Sequence, residues 1–170
     1  MARALMVAAL VVAGLAPAAS GSDADAILGE WLTAESKEGR GRVLISKDGD
    51  RYYGKIVWLE IPVYPPDDEK GMAGQPKVDR ENPDPTLRQR PTLGLEVVGG
   101  FVYAGDNLWK NGTIYDPEIG KTYKCKMTLT EDGTLKVRGF IGFSLIGRNT
   151  VWIRPPAPEP VAVQQPASAE

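Results

Sequence analysis

The sequence predicts an all-β chain: an eight-stranded antiparallel up-and-down β-barrel with one long inserted loop. Three observations predict this class. Apolar residues recur with period two rather than 3.6 through most of the chain, the spacing of a strand with one buried face. Turn formers such as Asp48-Gly49 and Glu131-Asp132-Gly133 separate these runs at hairpin distances. Beyond the first ~19 residues no segment carries a sustained helical stripe.

Leu28 to Ala34 is the first strand, containing Gly29-Glu30-Trp31. Arg42 to Ser46 and Arg51 to Glu60 make a hairpin across Asp48-Gly49. A long connection, Ile61 to Thr92, follows with seven of the 14 prolines. Loops of this length inside a compact domain are commonly lids or binding loops, although a plain surface excursion is the equal alternative. One helical turn is expected after Asp84, where Pro85 suits the first position and Pro91 stops the turn. Strands resume at Leu93 to Phe101 and Trp109 to Tyr115, and Asp116 to Gly120 then turns the chain into Thr122 to Leu129. In that last run Tyr123, Cys125, Met127 and Leu129 share one face, with threonines and lysines on the other. Leu135 to Ile141 and Arg148 to Arg154 complete the eight. Closing the first strand on the last removes the exposed edges, which favours a barrel over a sandwich.

Among the 170 residues, 20 Lys+Arg face 22 Asp+Glu, with one Cys and no His. A histidine-free chain has no Ser-His-Asp triad, histidine base or histidine-ligated zinc, and one cysteine forms no internal disulfide or multi-cysteine metal cage. No cofactor is expected. A net charge of −2 supplies no field to attract nucleic acid or anionic lipid. Basic Arg3, the apolar run Ala4 to Ala16 and the small residues Ala16-Pro17-Ala18 read as a secretory signal peptide over residues 1–19. The run falls short of the ~20 residues of a spanning helix, and no cysteine near the cleavage point allows acylation. A soluble mature protein without an integral membrane segment, periplasmic or secreted from a bacterium, is therefore expected. Residues 155–170, with five prolines and no aromatic, read as a disordered Pro/Ala-rich tail. The barrel domain is left with residues 20–154.

Several chemical motifs fail on inspection. Gly49-x-x-x-x-Gly54-Lys55 is followed by Ile56 and a strand, where a phosphate loop needs Ser or Thr and a helix. Gly142 to Gly147 resembles a nucleophile elbow with one residue too many and no histidine base. Asp79 to Arg90 spaces oxygen ligands like a calcium loop, yet Asp84 stands where glycine is needed and Arg90 where glutamate should close the shell. Asp116 and Glu118 read as a solvated turn. Cys125 lies on the apolar face of its strand, as an inert thiol would.

What remains is aromatic and arginine-based. First and last strands are neighbours in a barrel, so an arginine of the closing strand, Arg154 or Arg148, is placed to lie across the Trp31 indole and seal one end, with Trp31 as a plain core residue the alternative. Parity places Ile56, Trp58, Tyr123, Met127, Leu135 and Val137 on the inner wall, and Gly54, Gly112 and Gly139 are the small inward residues. An eight-stranded interior either fills with side chains or holds one ligand.

The strings Asn82-Pro-Asp-Pro-Thr-Leu-Arg-Gln-Arg-Pro91, Ile114-Tyr-Asp-Pro-Glu-Ile-Gly-Lys-Thr-Tyr-Lys-Cys-Lys126 and Leu135-Lys-Val-Arg-Gly-Phe-Ile-Gly142, with Gly147-Arg148 and Trp152-x-Arg154, resemble an uncharacterised exported bacterial family, domain of unknown function 2147, over nearly all of 28–154. That family is similar to the lipocalin and calycin barrels, whose Gly-x-Trp opening matches Gly29-Glu30-Trp31 and whose closing basic residue matches Arg148 or Arg154. The 61–92 insertion departs from the lipocalin pattern. The resemblance implies a small hydrophobic or amphipathic ligand inside the barrel, on a wall including Trp58 and Met127, with Arg148 or Arg154 for a carboxylate head group. Two other readings stand beside it. One is a packed structural or interaction protein of the cell envelope, with the 61–92 loop as contact surface. The other is an enzyme using Asp79, Asp116 and Tyr115.

Overall fold

The computed structural model describes residues 23–142 and 147–156. The expected signal segment, the 155–170 tail beyond Pro156 and most of the elbow-like Gly142 to Gly147 stretch lie outside these residues. Eight strands follow in order: β1 (Gly29–Leu32), β2 (Gly41–Asp48), β3 (Arg51–Leu59), β4 (Glu96–Tyr103), β5 (Leu108–Asp116), β6 (Lys121–Leu129), β7 (Leu135–Phe140) and β8 (Gly147–Trp152). Each pairs antiparallel with the next, giving one sheet ordered β1 to β8. The alternation in sequence is the cause. Cys125 and Met127 of β6 and Leu135 and Val137 of β7 are buried, while Lys124 and Lys136 are exposed, so the sheet has an apolar face that curls upon itself.

Among the described residues the curl ends at one bridge, between Leu32 and Ile153. Leu32 donates to the Ile153 carbonyl at 2.8 Å and accepts from Ile153 N–H at 3.0 Å. Just beyond it a side chain replaces the ladder: the Arg154 guanidinium donates to the carbonyls of Ala26 (2.7 Å), Leu28 (2.9 Å) and Glu30 (3.2 Å). Five N–H donors in one planar fork suit this role. Arg154 also lies over the Trp31 ring, 3.9 Å from its centroid. Gly29, with φ +98°, permits the approach, since a Cβ there would sit 3.3 Å from Arg154 Nη1.

Two departures from the expected parity matter for the site. Arg42 pairs with Trp58 but Val43 pairs with Ile56, so Val57 has no partner and forms a bulge. In β5 the register slips again between Trp109 and Gly112, where Asn111 has φ +64°. The Ile61 to Thr92 connection is a built structure rather than a slack excursion. Its chain is folded on itself by the bridges Val63–Pro76 and Val78–Pro91. The turn expected after Asp84 is a 3₁₀ turn, Pro85–Leu87, whose cap Asp84 accepts from Thr86 N–H at 2.9 Å.

Candidate functional site

One end of the barrel is filled. Trp31, Tyr52, Phe101, Trp109, Met127 and Leu135 are fully buried there. Tyr52 meets Trp109 edge-on, at 6.3 Å between centroids and 83° between planes. Gly112 faces inward but leaves no space, because Phe101 fills it: a Cβ there would stand 2.2 Å from the ring. Gly54 is taken up in the same way by Val43 and Val98. The 3₁₀ turn Asp23–Asp25 covers this end. Ala24 accepts from the Trp109 indole at 3.2 Å, and Asp25 accepts from the Tyr52 hydroxyl at 3.0 Å and from Lys47 at 2.8 Å. Burial, followed by the bond to Asp25, raises the Tyr52 pKa.

The other end is hollow. A cavity of about 980 Å³ opens among the β1–β2, β3–β4 and β5–β6 connections and Ile141 beyond β7, a volume at the upper end of the range of small-molecule sites. Val43, Ile56, Leu59, Val97, Ile114 and Val137 make its apolar wall, with Tyr123 and Gly139 beside them. Polar groups gather at the rim, where Lys77 and Arg80 come from the long connection and Arg148 from β8. Exposed Ile119 and Ile141, 50% and 69% accessible, stand at the same rim.

The sequence-predicted wall residues divide between these regions. Ile56, Tyr123 and Val137 line the cavity, and Arg148 is exposed at its rim. Met127 and Leu135 face inward as expected but lie in the filled part, outside the cavity lining. Trp58 is corrected to the outer face. The Val57 bulge inverts the parity of β3 beyond Ile56, so Leu59 turns inward, whereas Trp58 stays 38% exposed with the Arg42 guanidinium 5.0 Å from its ring. Arg154 is not available to a ligand head group either, because three backbone carbonyls and Trp31 occupy it at the closed end.

Of the residues weighed for catalysis, Asp79 and Tyr115 meet and Asp116 does not join them. The Tyr115 hydroxyl donates to Asp79 Oδ1 at 2.5 Å. Asp79 is completely buried. Its Oδ2 accepts from Arg90 Nε at 2.8 Å and Asn82 Nδ2 at 2.7 Å, and Arg90 Nη2 stands 2.7 Å from it in the ion pair. Burial and the bond to Asp79 push the Tyr115 pKa up to about 12, so the phenol keeps its proton. Such a saturated carboxylate is a fastening, and it ties the long connection to β5. The calcium-like spacing dissolves into the same network, since Asn82 Oδ1 accepts from Asp84 N–H at 2.9 Å. Asp116 accepts from Glu118 N–H at 3.0 Å within its turn. The Cys125 thiol is buried and its pKa rises to about 12, through desolvation first. Gly49, Gly54 and Lys55 belong to the β2–β3 hairpin.

Sequence reasoning missed Lys77, Glu38, Tyr64 and Arg80. Lys77 is only 8% exposed, and its ammonium pairs with Glu38 Oε2 at 2.7 Å and the Glu38 carbonyl at 3.2 Å. Arg80 lies over the Tyr64 ring, 4.0 Å from the centroid, and pairs with Asp68 at 2.7 Å. No periodic pattern marks these residues, because the chain that carries them is neither strand nor helix. For Lys77, Tyr64 and Arg80 the one signal was the length of the 61–92 connection, and Glu38, between β1 and β2, had none.

A meandering eight-stranded barrel with one plugged end and one open apolar cavity defines a lipocalin-like fold. The chain belongs to the bacterial family described as "Uncharacterized protein conserved in bacteria (DUF2147)", whose model matches residues 29–154. Among solved structures it is similar to protein HP1028 from the human pathogen Helicobacter pylori, described as belonging to the lipocalin family. The TM-score is 0.63 at 21% identity, over 77% of this chain and 84% of that one. Comparison with curated proteins finds no match.

Proposed function

We propose that this is an exported, non-enzymatic binding barrel that takes a small hydrophobic or amphipathic molecule into its hollow end. The observation that carries this reading is the contrast between the ends: aromatic residues fill one, while branched aliphatics leave about 980 Å³ open in the other. Burying an alkyl chain against that wall yields roughly 0.8 kcal/mol per CH₂. The neighbour's lipocalin description fits this reading. The basic, apolar and small residues in order over 1–19 support export.

Titration with the neutral apolar dye N-phenyl-1-naphthylamine tests it. Saturable enhancement of dye fluorescence is expected in the wild type and its loss in Val137→Trp, which places an indole in the cavity. Absence of dye binding in the wild type would leave a packed structural barrel as the better account. Dye binding that survives unchanged in Val137→Trp would put the ligand elsewhere.

A further inference from the structure

We infer that Lys77 is the head-group anchor of the cavity and that the ligand is an amphiphile ending in a carboxylate, which displaces Glu38 from Lys77 on entry. This rests on the binding reading above and adds the ligand's polar end to it.

Four cations line the cavity among the described residues, and their partners separate them. Arg40 and Arg148 stand in solvent or half in it, with Arg40 3.5 Å from Glu35. Water screens such groups and weakens their grip on an anion. Arg80 is buried more deeply but committed. Its partner Asp68 has a side chain only 4% exposed, which also accepts from Met72 N–H at 3.0 Å, and Tyr64 stacks beneath the guanidinium. Lys77 alone is both desolvated and held by an exchangeable partner, because the Glu38 side chain is 44% exposed.

The geometry of exchange follows from the two backbones. Lys77 sits on a fixed segment: its N–H donates to Pro62 O at 2.9 Å and its carbonyl accepts from Thr92 N–H at 3.0 Å. Glu38 belongs to the β1–β2 connection. Beyond Lys77, that connection is fastened by Ser36 Oγ donating to Glu118 Oε1 at 2.8 Å and by Arg40, whose N–H donates to Glu60 Oε2 and whose carbonyl accepts from Glu60 N–H, both at 2.9 Å, so the exchange moves the half-exposed Glu38 side chain and not its backbone. An ammonium this buried is costly without a counter-charge. A ligand carboxylate entering with its chain in the cavity offers the same oxygen atoms that Glu38 presents at 2.7 Å. It replaces one charge-assisted hydrogen bond with another and returns Glu38 to water.

The test compares two probes, the neutral dye above and the fluorescent fatty acid cis-parinaric acid, on the full-length mature protein. Lys77→Met keeps the volume and removes the charge, so it should weaken the acid about tenfold or more relative to the neutral dye. Glu38→Gln removes the competing carboxylate and should tighten the acid severalfold relative to the dye. Equal losses for both probes in Lys77→Met, or no tightening in Glu38→Gln, would overturn the anchor while leaving the cavity reading intact. Should Lys77→Met fold poorly, the Glu38→Gln ratio decides alone. If neither probe binds the wild type, the binding reading fails and the anchor with it.

Discussion

The filled and hollow ends of this barrel are cut from the same eight strands, and residue size explains the difference between them. At the closed end Trp31, Tyr52, Phe101 and Trp109 reach across the interior, and Gly112 makes room for one of them. At the other end Val43, Ile56, Val97, Ile114 and Val137 have short branched side chains that cover the wall without meeting over the centre. An interior of eight strands is wide enough for either outcome. Filled core and ligand site are therefore properties of successive layers in one barrel, decided layer by layer.

Within the filled layer, Trp31 supplies the largest expected effect. It is 0% exposed, its indole donates to Ile27 O at 2.7 Å, and Arg154 covers its face. Trp31→Ala should destabilise by ~3–5 kcal/mol through cavity formation, with loss of the Arg154 contact included. Denaturant unfolding measures this, and a change below ~1 kcal/mol would deny the closed end its role as the stable part of the fold. Binding at the hollow end should persist in whatever fraction remains folded.

How far the two layers were legible follows from what a period of two encodes. Alternation tells which face of a strand looks inward, and it placed Ile56, Tyr123, Val137, Met127 and Leu135 there; it says nothing of height along the barrel axis. Met127 and Val137 are paired neighbours in register, yet one belongs to the filled layer and the other to the cavity wall. Depth depends on which strands reach across from the opposite side, which is a long-range property. That Trp31 meets an arginine of the closing strand was legible because topology alone makes the first and last strands neighbours, but spacing left Arg148 and Arg154 open, and the three carbonyl bonds select Arg154. Lys77 was not, since its burial depends on a non-local meeting of two irregular connections.

One identical substitution placed in each layer makes the next test. Gly112→Ala puts a methyl group 2.2 Å from the Phe101 ring, whereas Gly139→Ala meets Ile114 at an ordinary 3.4 Å. Overpacking should cost the first ~1–3 kcal/mol, and the second should stay within ~0.5 kcal/mol of the wild type. Comparable losses from both, in matched denaturation curves, would mean that the hollow end is as tightly packed as the closed one.

A smaller effect than that of Gly112→Ala is expected at Trp58, which alternation alone assigns to the cavity wall. The Val57 bulge turns it outward against Arg42, at 5.0 Å in a partly solvated cation–π contact. Such contacts at exposed sites contribute ~0.5–1 kcal/mol. Trp58→Ala should therefore cost no more than about 1 kcal/mol and leave the affinity for N-phenyl-1-naphthylamine unaltered. Its spectroscopic behaviour makes the test sharper than a stability measurement. Quenching of tryptophan emission by an external solute should fall in the variant, because an accessible indole has gone, while any quenching caused by the bound dye is preserved by the buried indoles that remain. A large loss of dye affinity would place Trp58 on the wall after all. It would also require the register between β2 and β3 to run without the extra residue, moving Leu59 out of the cavity as Trp58 moved in.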